Sequence, residues 1–201
     1  MLKKPLNLTI ALTFFMHLST AVHAEDKPVM LFDFSKPAVA SEWKTVNDNV
    51  MGGVSDGRVG VTENTLQFYG TLSLENNGGF ASARSPAARI DLSKYDGLVF
   101  RVRGDGRDYY LNVRVPTEQV AFSYRASFKT EHGKWMEVKM PFADLQPTSF
   151  GRIVENGEAF NPGNVESLGF LLADKKAGPF KLEIAWIKGS PKAEKAAPVR
   201  P

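Results

Sequence analysis

The chain has 201 residues, with 25 basic against 22 acidic side chains and no cysteine. Disulfides and thiolate metal sites are therefore excluded, and a formal charge of +3 lacks the basic excess of a general nucleic-acid binder. Packing alone has to hold the core.

Residues 1–24 read as a secretory signal peptide. Lys3 and Lys4 give a positive start, Leu6 to Leu18 is mostly apolar, and Val22-His23-Ala24 offers a small-residue cleavage site. The run falls short of the roughly 20 apolar residues that a membrane span needs. Cleavage after Ala24 and a periplasmic location are expected. Removing the two lysines leaves 23 basic residues against 22 acidic ones, nearly neutral. Glu25 to Pro28 reads as a linker.

From residue 28 to residue 188 the spacing predicts one all-β domain. Apolar residues recur with period two in short segments and almost nowhere with helical spacing. Strands are expected over Val29 to Phe34, Thr65 to Leu72, Gly79 to Ser85, Leu98 to Arg103, Tyr109 to Val115, Phe122 to Lys129, Lys134 to Met140, Ser167 to Ala173 and Phe180 to Ile187. Single helical turns are expected at Pro141 to Leu145 and Asp91 to Tyr95. Glycine-rich punctuation falls between the strands, and Gly104 to Arg107 reads as a tight hairpin turn. So many short strands at regular spacing predict a β-sandwich or jelly roll. The tail from Gly189 to Pro201, without an aromatic residue, is expected to be disordered.

Catalytic signatures are sparse. His17 and His23 lie in the leader, so a metal site or a Ser-His-acid triad would rest on His132 alone, beside Gly133 in a turn. Gly104-Asp105-Gly106 precedes a strand rather than a helix and cannot cradle a pyrophosphate as a dinucleotide fingerprint does. The pairs Asp105 with Asp108 and Asp48 with Asp56 match no calcium loop. No enzyme, cofactor or metal is expected.

The strands do separate an apolar from a polar set. If the three strands Leu98 to Lys129 are neighbours, one sheet face carries Arg101, Arg103, Tyr110, Asn112, Arg114 and Arg125. Arginine with tyrosine and asparagine suits planar hydrogen bonding and stacking on a sugar, a carboxylate or a protein surface. A solvated outer face is the other reading.

Two loop segments carry more. Trp43 to Ser55 reads Trp-Lys-Thr-Val-Asn-Asp-Asn-Val-Met-Gly-Gly-Val-Ser, and Glu75 to Arg84 reads Glu-Asn-Asn-Gly-Gly-Phe-Ala-Ser-Ala-Arg. With Tyr95-Asp96-Gly97, Arg101 to Tyr109, Trp135 to Phe142 and Gly178 to Ile187, the chain resembles the complex I intermediate-associated protein family from Phe32 to Ile187. The resemblance implies a galactose-binding-like jelly roll. It also implies a non-catalytic role, since the family's mitochondrial members are assembly factors. It marks Asn47, Asp48, Met51, Gly52, Gly53, Ser55, Asn76, Asn77, Gly78, Gly79, Phe80, Ser82 and Arg84 as candidate functional positions. Alternatively these loops are demanding turns, with Met51 and Phe80 plugging the end of the sandwich. The function expected is a monomeric, non-enzymatic binding domain acting in assembly, or as a chaperone, for a protein partner. The alternative is an exported carbohydrate-binding module, with Tyr110 and Trp43 as stacking platforms.

Overall fold

The computed structural model describes residues 27–62 and 64–192. The expected signal peptide and most of the expected disordered tail lie outside the described residues. Two antiparallel sheets form a sandwich, as the period-two pattern requires. The strands are β1 (Val29–Asp33), β2 (Lys44–Asn47), β3 (Asp56–Thr62), β4 (Thr65–Leu72), β5 (Ala81–Arg84), β6 (Tyr95–Arg103), β7 (Asp108–Arg114), β8 (Phe122–Lys129), β9 (Trp135–Pro141), β10 (Gln146–Ser149), β11 (Arg152–Ile153), β12 (Ser167–Leu172) and β13 (Gly178–Pro191). The first sheet runs β3-β4-β13-β6-β9, with β1 also on β13, and the second β11-β10-β8-β7-β12-β5-β2.

Inward positions of both sheets meet in one core. Leu66, Phe68, Leu98, Phe100, Val102, Leu182 and Ile184 come from the first sheet; Tyr109, Leu111, Val113, Phe128, Leu168 and Phe170 come from the second. Phe100 bridges them, edge-on to Phe128 at 5.0 Å and to Phe170 at 5.4 Å between centroids. Aromatic pairs at this spacing add about 0.5–1.5 kcal/mol beyond area burial, which suits a core without covalent links.

Three expectations are corrected. First, β6 and β7 belong to different sheets, so Gly104 to Arg107 is a corner between sheets and not a hairpin. Asp105 pins that corner: its carboxylate accepts from the Tyr109 hydroxyl at 3.1 Å and the Lys181 backbone N–H at 2.8 Å. The turn at His132 and Gly133 likewise links β8 to β9 across the sandwich. Second, β13 runs on to Pro191, past the expected start of the tail. Gly189 lets the Tyr95 ring lie flat on the strand, since a Cβ there would come within 2.6 Å of the ring. Third, the segment Asp91 to Tyr95 turns at Ser93 and Lys94 and enters β6 at Tyr95, whereas a short helix forms at Pro37–Ser41, led by a proline in its first turn.

Candidate functional site

Asp48 organises the loops at one end of the sandwich. It follows β2 in a single 3-10 turn (Asp48–Met51) and is almost fully buried. One carboxylate oxygen accepts the Ser55 backbone N–H at 2.9 Å. The other accepts the Ser55 hydroxyl at 2.6 Å, the Gly79 N–H at 2.6 Å and the Phe80 N–H at 3.3 Å. Its main chain joins in, donating to the Phe80 carbonyl and accepting from Gly53 N–H. A single side chain thus welds the Gly52-Gly53 loop to the Asn76-Asn77-Gly78-Gly79 loop. Burial alone would raise the Asp48 pKa, but the hydrogen bonds from Ser55, Gly79 and Phe80 outweigh it and hold the carboxyl below its ordinary range.

The glycines of both loops follow from this packing. A Cβ on Gly53 would lie 2.3 Å from the Asp48 carboxyl carbon, and one on Gly78 would lie 2.5 Å from its Oδ2. Ser55 closes the ring by accepting the Ser73 backbone N–H at 3.0 Å on the hydroxyl that donates to Asp48. The Asn76 amide reaches the Gly52 carbonyl at 3.2 Å, and both Asn76 and Asn77 hold positive φ, a conformation asparagine tolerates better than most residues. Asn47 donates to the Gly57 carbonyl at 2.9 Å. The Asp48–Asp56 pair offers no joint cation site, because Asp48 is saturated by donors and Asp56 is bound by Arg58 at 2.7 Å.

These loops therefore stand as a demanding scaffold, and what the scaffold presents is apolar. Val50 and Met51 are 68% and 62% exposed; Val54, on the same loop, and Leu74, at the start of the second, are exposed as well. Met51 does not plug the sandwich; Phe80 is half-buried. Val50, Val54 and Leu74 escaped the sequence reading. The available signal was the Val50-Met51 pair set in a polar, glycine-rich loop.

The arginine face splits in two. Arg101 and Arg103 lie on the outer face of the first sheet, whereas Tyr110, Asn112, Arg114 and Arg125 lie on that of the second. The expected six-residue surface is corrected accordingly, since alternation fixes inner against outer but not which sheet a strand joins. Arg103 pairs with Glu183 at 2.6 Å, and both Arg101 and Arg103 sit over Trp135. On the second sheet Arg125 covers the Tyr110 ring at 4.6 Å and reaches the Gly151 carbonyl, so that ring face is occupied by protein. The Asn112 carbonyl oxygen accepts from Ser123 at 2.8 Å. Arg84 joins this face from β5, across Gly169 from Asn112. Trp43, expected as a stacking platform, is instead core, packed against Phe32, Phe34 and Phe170.

Arg107, between the sheets, was not anticipated as a key residue. It makes a two-pronged pair with Asp174, at 2.6 and 3.0 Å, and donates to the carbonyls of Lys176, Gly178 and Pro179. Burial would raise the Asp174 pKa, yet the Arg107 fork and the Lys176 N–H hold it below its ordinary range. Among the described residues no helix is long and apolar enough to cross a membrane, and no cluster of three or more His, Asp or Glu could hold a metal ion.

Comparison with known proteins agrees with this architecture. The family 11 carbohydrate-binding module of a cellulosomal cellulase from Clostridium thermocellum superposes with a TM-score of 0.64 at 17% identity, covering 85% of this chain and 98% of the module. At that identity the likeness is one of fold. The mitochondrial protein named complex I intermediate-associated protein 30 of Mus musculus is 30% identical over 79% of this chain and 55% of its own length. Its namesake in Drosophila melanogaster is 28% identical over 79% of this chain and 61% of its own length. The chain thus spans little more than half the length of these curated relatives. The expectation of an exported, periplasmic protein is overturned by them, because each is mitochondrial by name. The profile of the family described as complex I intermediate-associated protein 30 matches residues 32–184, so the Asp48 clamp, both glycine-rich loops and the sandwich beneath them fall inside it, and the chain belongs to that family.

Proposed function

We propose that this chain is a non-catalytic binding domain with an assembly-factor role, engaging a protein component of a membrane-bound complex through the loops that Asp48 clamps. One observation carries this reading. The segments that mark the family fold around a buried carboxylate into a rigid platform, and that platform presents Val50 and Met51 to solvent. Rigid presentation of apolar side chains lowers the ordering cost of binding, and methionine adapts to varied partner surfaces. The relatives' names supply the class of partner, an intermediate of complex I. Of the carbohydrate alternative's two stacking platforms, Trp43 is core and Tyr110 is capped by Arg125, which weighs against it.

The test places a photo-reactive residue at Met51 of the full chain and irradiates it in cells that assemble complex I. Recovery of a complex I subunit is expected, and the double substitution Val50→Ser, Met51→Ser should reduce co-purification at least fivefold. Undiminished recovery with the double variant would remove the loop end from the reading. Saturable binding to a mixed-linked glucan, with no protein captured, would replace it.

A further inference from the structure

The outer face of the second sheet holds a pair of arginines without acidic partners. Arg84, on β5, and Arg114, on β7, face one groove of about 620 Å³ together with Lys44, Val46, Pro86 and Ser167. Among the described residues neither guanidinium forms an ion pair. The one side-chain hydrogen bond from Arg84 goes to the neutral Ser82 hydroxyl, at 3.1 Å. Both arginines are half-buried. Burial first, and then the positive charge of Arg114, pulls the Arg84 pKa down to about 10. The two cations therefore destabilise one another as they stand.

The sheet is shaped to keep Arg84 there. Gly169 lies between Arg84 and Asn112 in register, and a Cβ on it would sit 3.4 Å from Arg84 Cγ and 2.5 Å from the Ala83 carbonyl. The Arg84 stem thus lies along β12, where a larger residue would displace it. Asn112, across Gly169, is nearly buried and accepts the Ser123 hydroxyl on its carbonyl oxygen, which fixes the sheet beside the groove.

Two guanidiniums lining one partly desolvated groove suit a planar anion, because a guanidinium fork can give two parallel hydrogen bonds to one carboxylate. We propose that the Arg84–Arg114 groove binds a carboxylate side chain of the partner protein. This deepens the protein-binding role above and rests on it for the identity of the ligand. A singly charged carboxylate is favoured over a phosphate because Glu42 and Glu166 also line the groove, and their charge opposes a dianion more than a monoanion. Val46 and Pro86 supply an apolar margin for the residues flanking the acid.

The probe is a blocked peptide with one glutamate between alanines, titrated into the full chain at low salt while the arginine Nε–H resonances are followed by NMR. Saturable shifts at Arg84 and Arg114 are expected. The glutamine counterpart of the peptide should bind at least tenfold more weakly, and inorganic phosphate more weakly than the glutamate peptide. Arg84→Gln and Arg114→Gln should each weaken peptide binding at least tenfold without lowering the unfolding midpoint, since each relieves a like-charge contact. Arg114→Lys keeps the charge without the fork and should fall between the wild type and Arg114→Gln. Equal binding of the glutamate and glutamine peptides would overturn the proposal, as would tighter binding of phosphate or of vesicles containing an anionic phospholipid. Loss of peptide binding with Met51 cross-linking retained would sink this site alone. Peptide binding without any captured protein would keep the carboxylate site but remove its assignment to a partner.

Discussion

The hydroxyl of Ser55 donates to Oδ2 of Asp48 at 2.6 Å, with both groups buried, seven residues apart along the chain. Around that bond three backbone N–H groups from two loops converge on the same carboxylate. Asp48→Ala leaves these donors unsatisfied in a buried site. A loss of about 3–5 kcal/mol is expected, because each hydrogen bond to a charged acceptor is worth about 1.5–3 kcal/mol and the losses are not additive. Urea unfolding of wild type and variant measures it. A loss under about 1 kcal/mol would show that the two loops hold together without the carboxylate.

The same carboxylate makes stability depend on pH. Its folded pKa is lowered, so the ionised form contributes fully above the unfolded value near 3.8, and the contribution fades as pH falls through the folded value. Asp48→Asn is isosteric and cannot ionise. Its stability deficit against wild type should be greatest near neutrality and shrink as the pH is lowered from about 5 towards 2–3. A deficit that stays constant across that window would mean that the acid sensitivity resides elsewhere, as at Asp174 or Glu183, whose pKa values are also lowered.

Arg107 and Asp174 form a pair with 12% and 5% side-chain exposure. Removing one partner strands the other, so Arg107→Met should cost about 3–5 kcal/mol. The double substitution Arg107→Met, Asp174→Leu should recover part of this, since a buried ion pair replaced by apolar groups can be nearly neutral. Thermal unfolding of the two single variants and the double variant forms the cycle. A double variant as unstable as the sum of the singles would show that the carbonyl contacts of Arg107, rather than its pairing, dominate.

The inward and outward faces of the strands were legible in the sequence because period two has one physical meaning: alternate side chains stand on opposite sides of a sheet. Phe100 and Val102 were read as one face and both are core. What alternation cannot encode is the sheet to which a strand belongs. The corner after Arg103 and a hairpin at the same place would both bury Phe100 and Leu111, so Arg101 and Arg103 were grouped with residues that lie across the sandwich. The strands missed, β2, β3, β10 and β11, are short or polar. Asp56–Thr62 has two glycines, and Gln146–Ser149 has a proline. Of the candidate site, the motif segments could be read as loops but the Asp48 clamp could not, because the burial of Asp48 depends on the long-range approach of Gly79 and Phe80.

The exposed tip separates from the scaffold beneath it by stability. Val50→Ser with Met51→Ser removes side chains that make little core contact, and surface changes of this kind stay within about 0.5 kcal/mol. Unchanged unfolding beside diminished partner capture is the expected result. A substantial loss of stability would make the tip part of the fold rather than a free surface.

Trp43 gives the opposite case. Its ring stacks on Phe170 with centroids 6.2 Å apart and meets Phe32 and Phe34 edge-on at 5.5 and 5.3 Å. Its indole nitrogen is buried with no hydrogen-bond partner, so the ring is retained for its shape and apolar area. Trp43→Phe removes the unpartnered N–H but leaves a void, and a cost of about 1–3 kcal/mol is expected. Trp43→Ala empties the site, at about 3–5 kcal/mol. Tryptophan fluorescence adds an independent check, because a buried Trp43 emits at short wavelength and resists quenching by acrylamide in the folded chain. The double variant Trp135→Phe, Trp186→Phe isolates that signal. If its emission were quenched as readily as free tryptophan, Trp43 would be on the surface and the stacking-platform role would return.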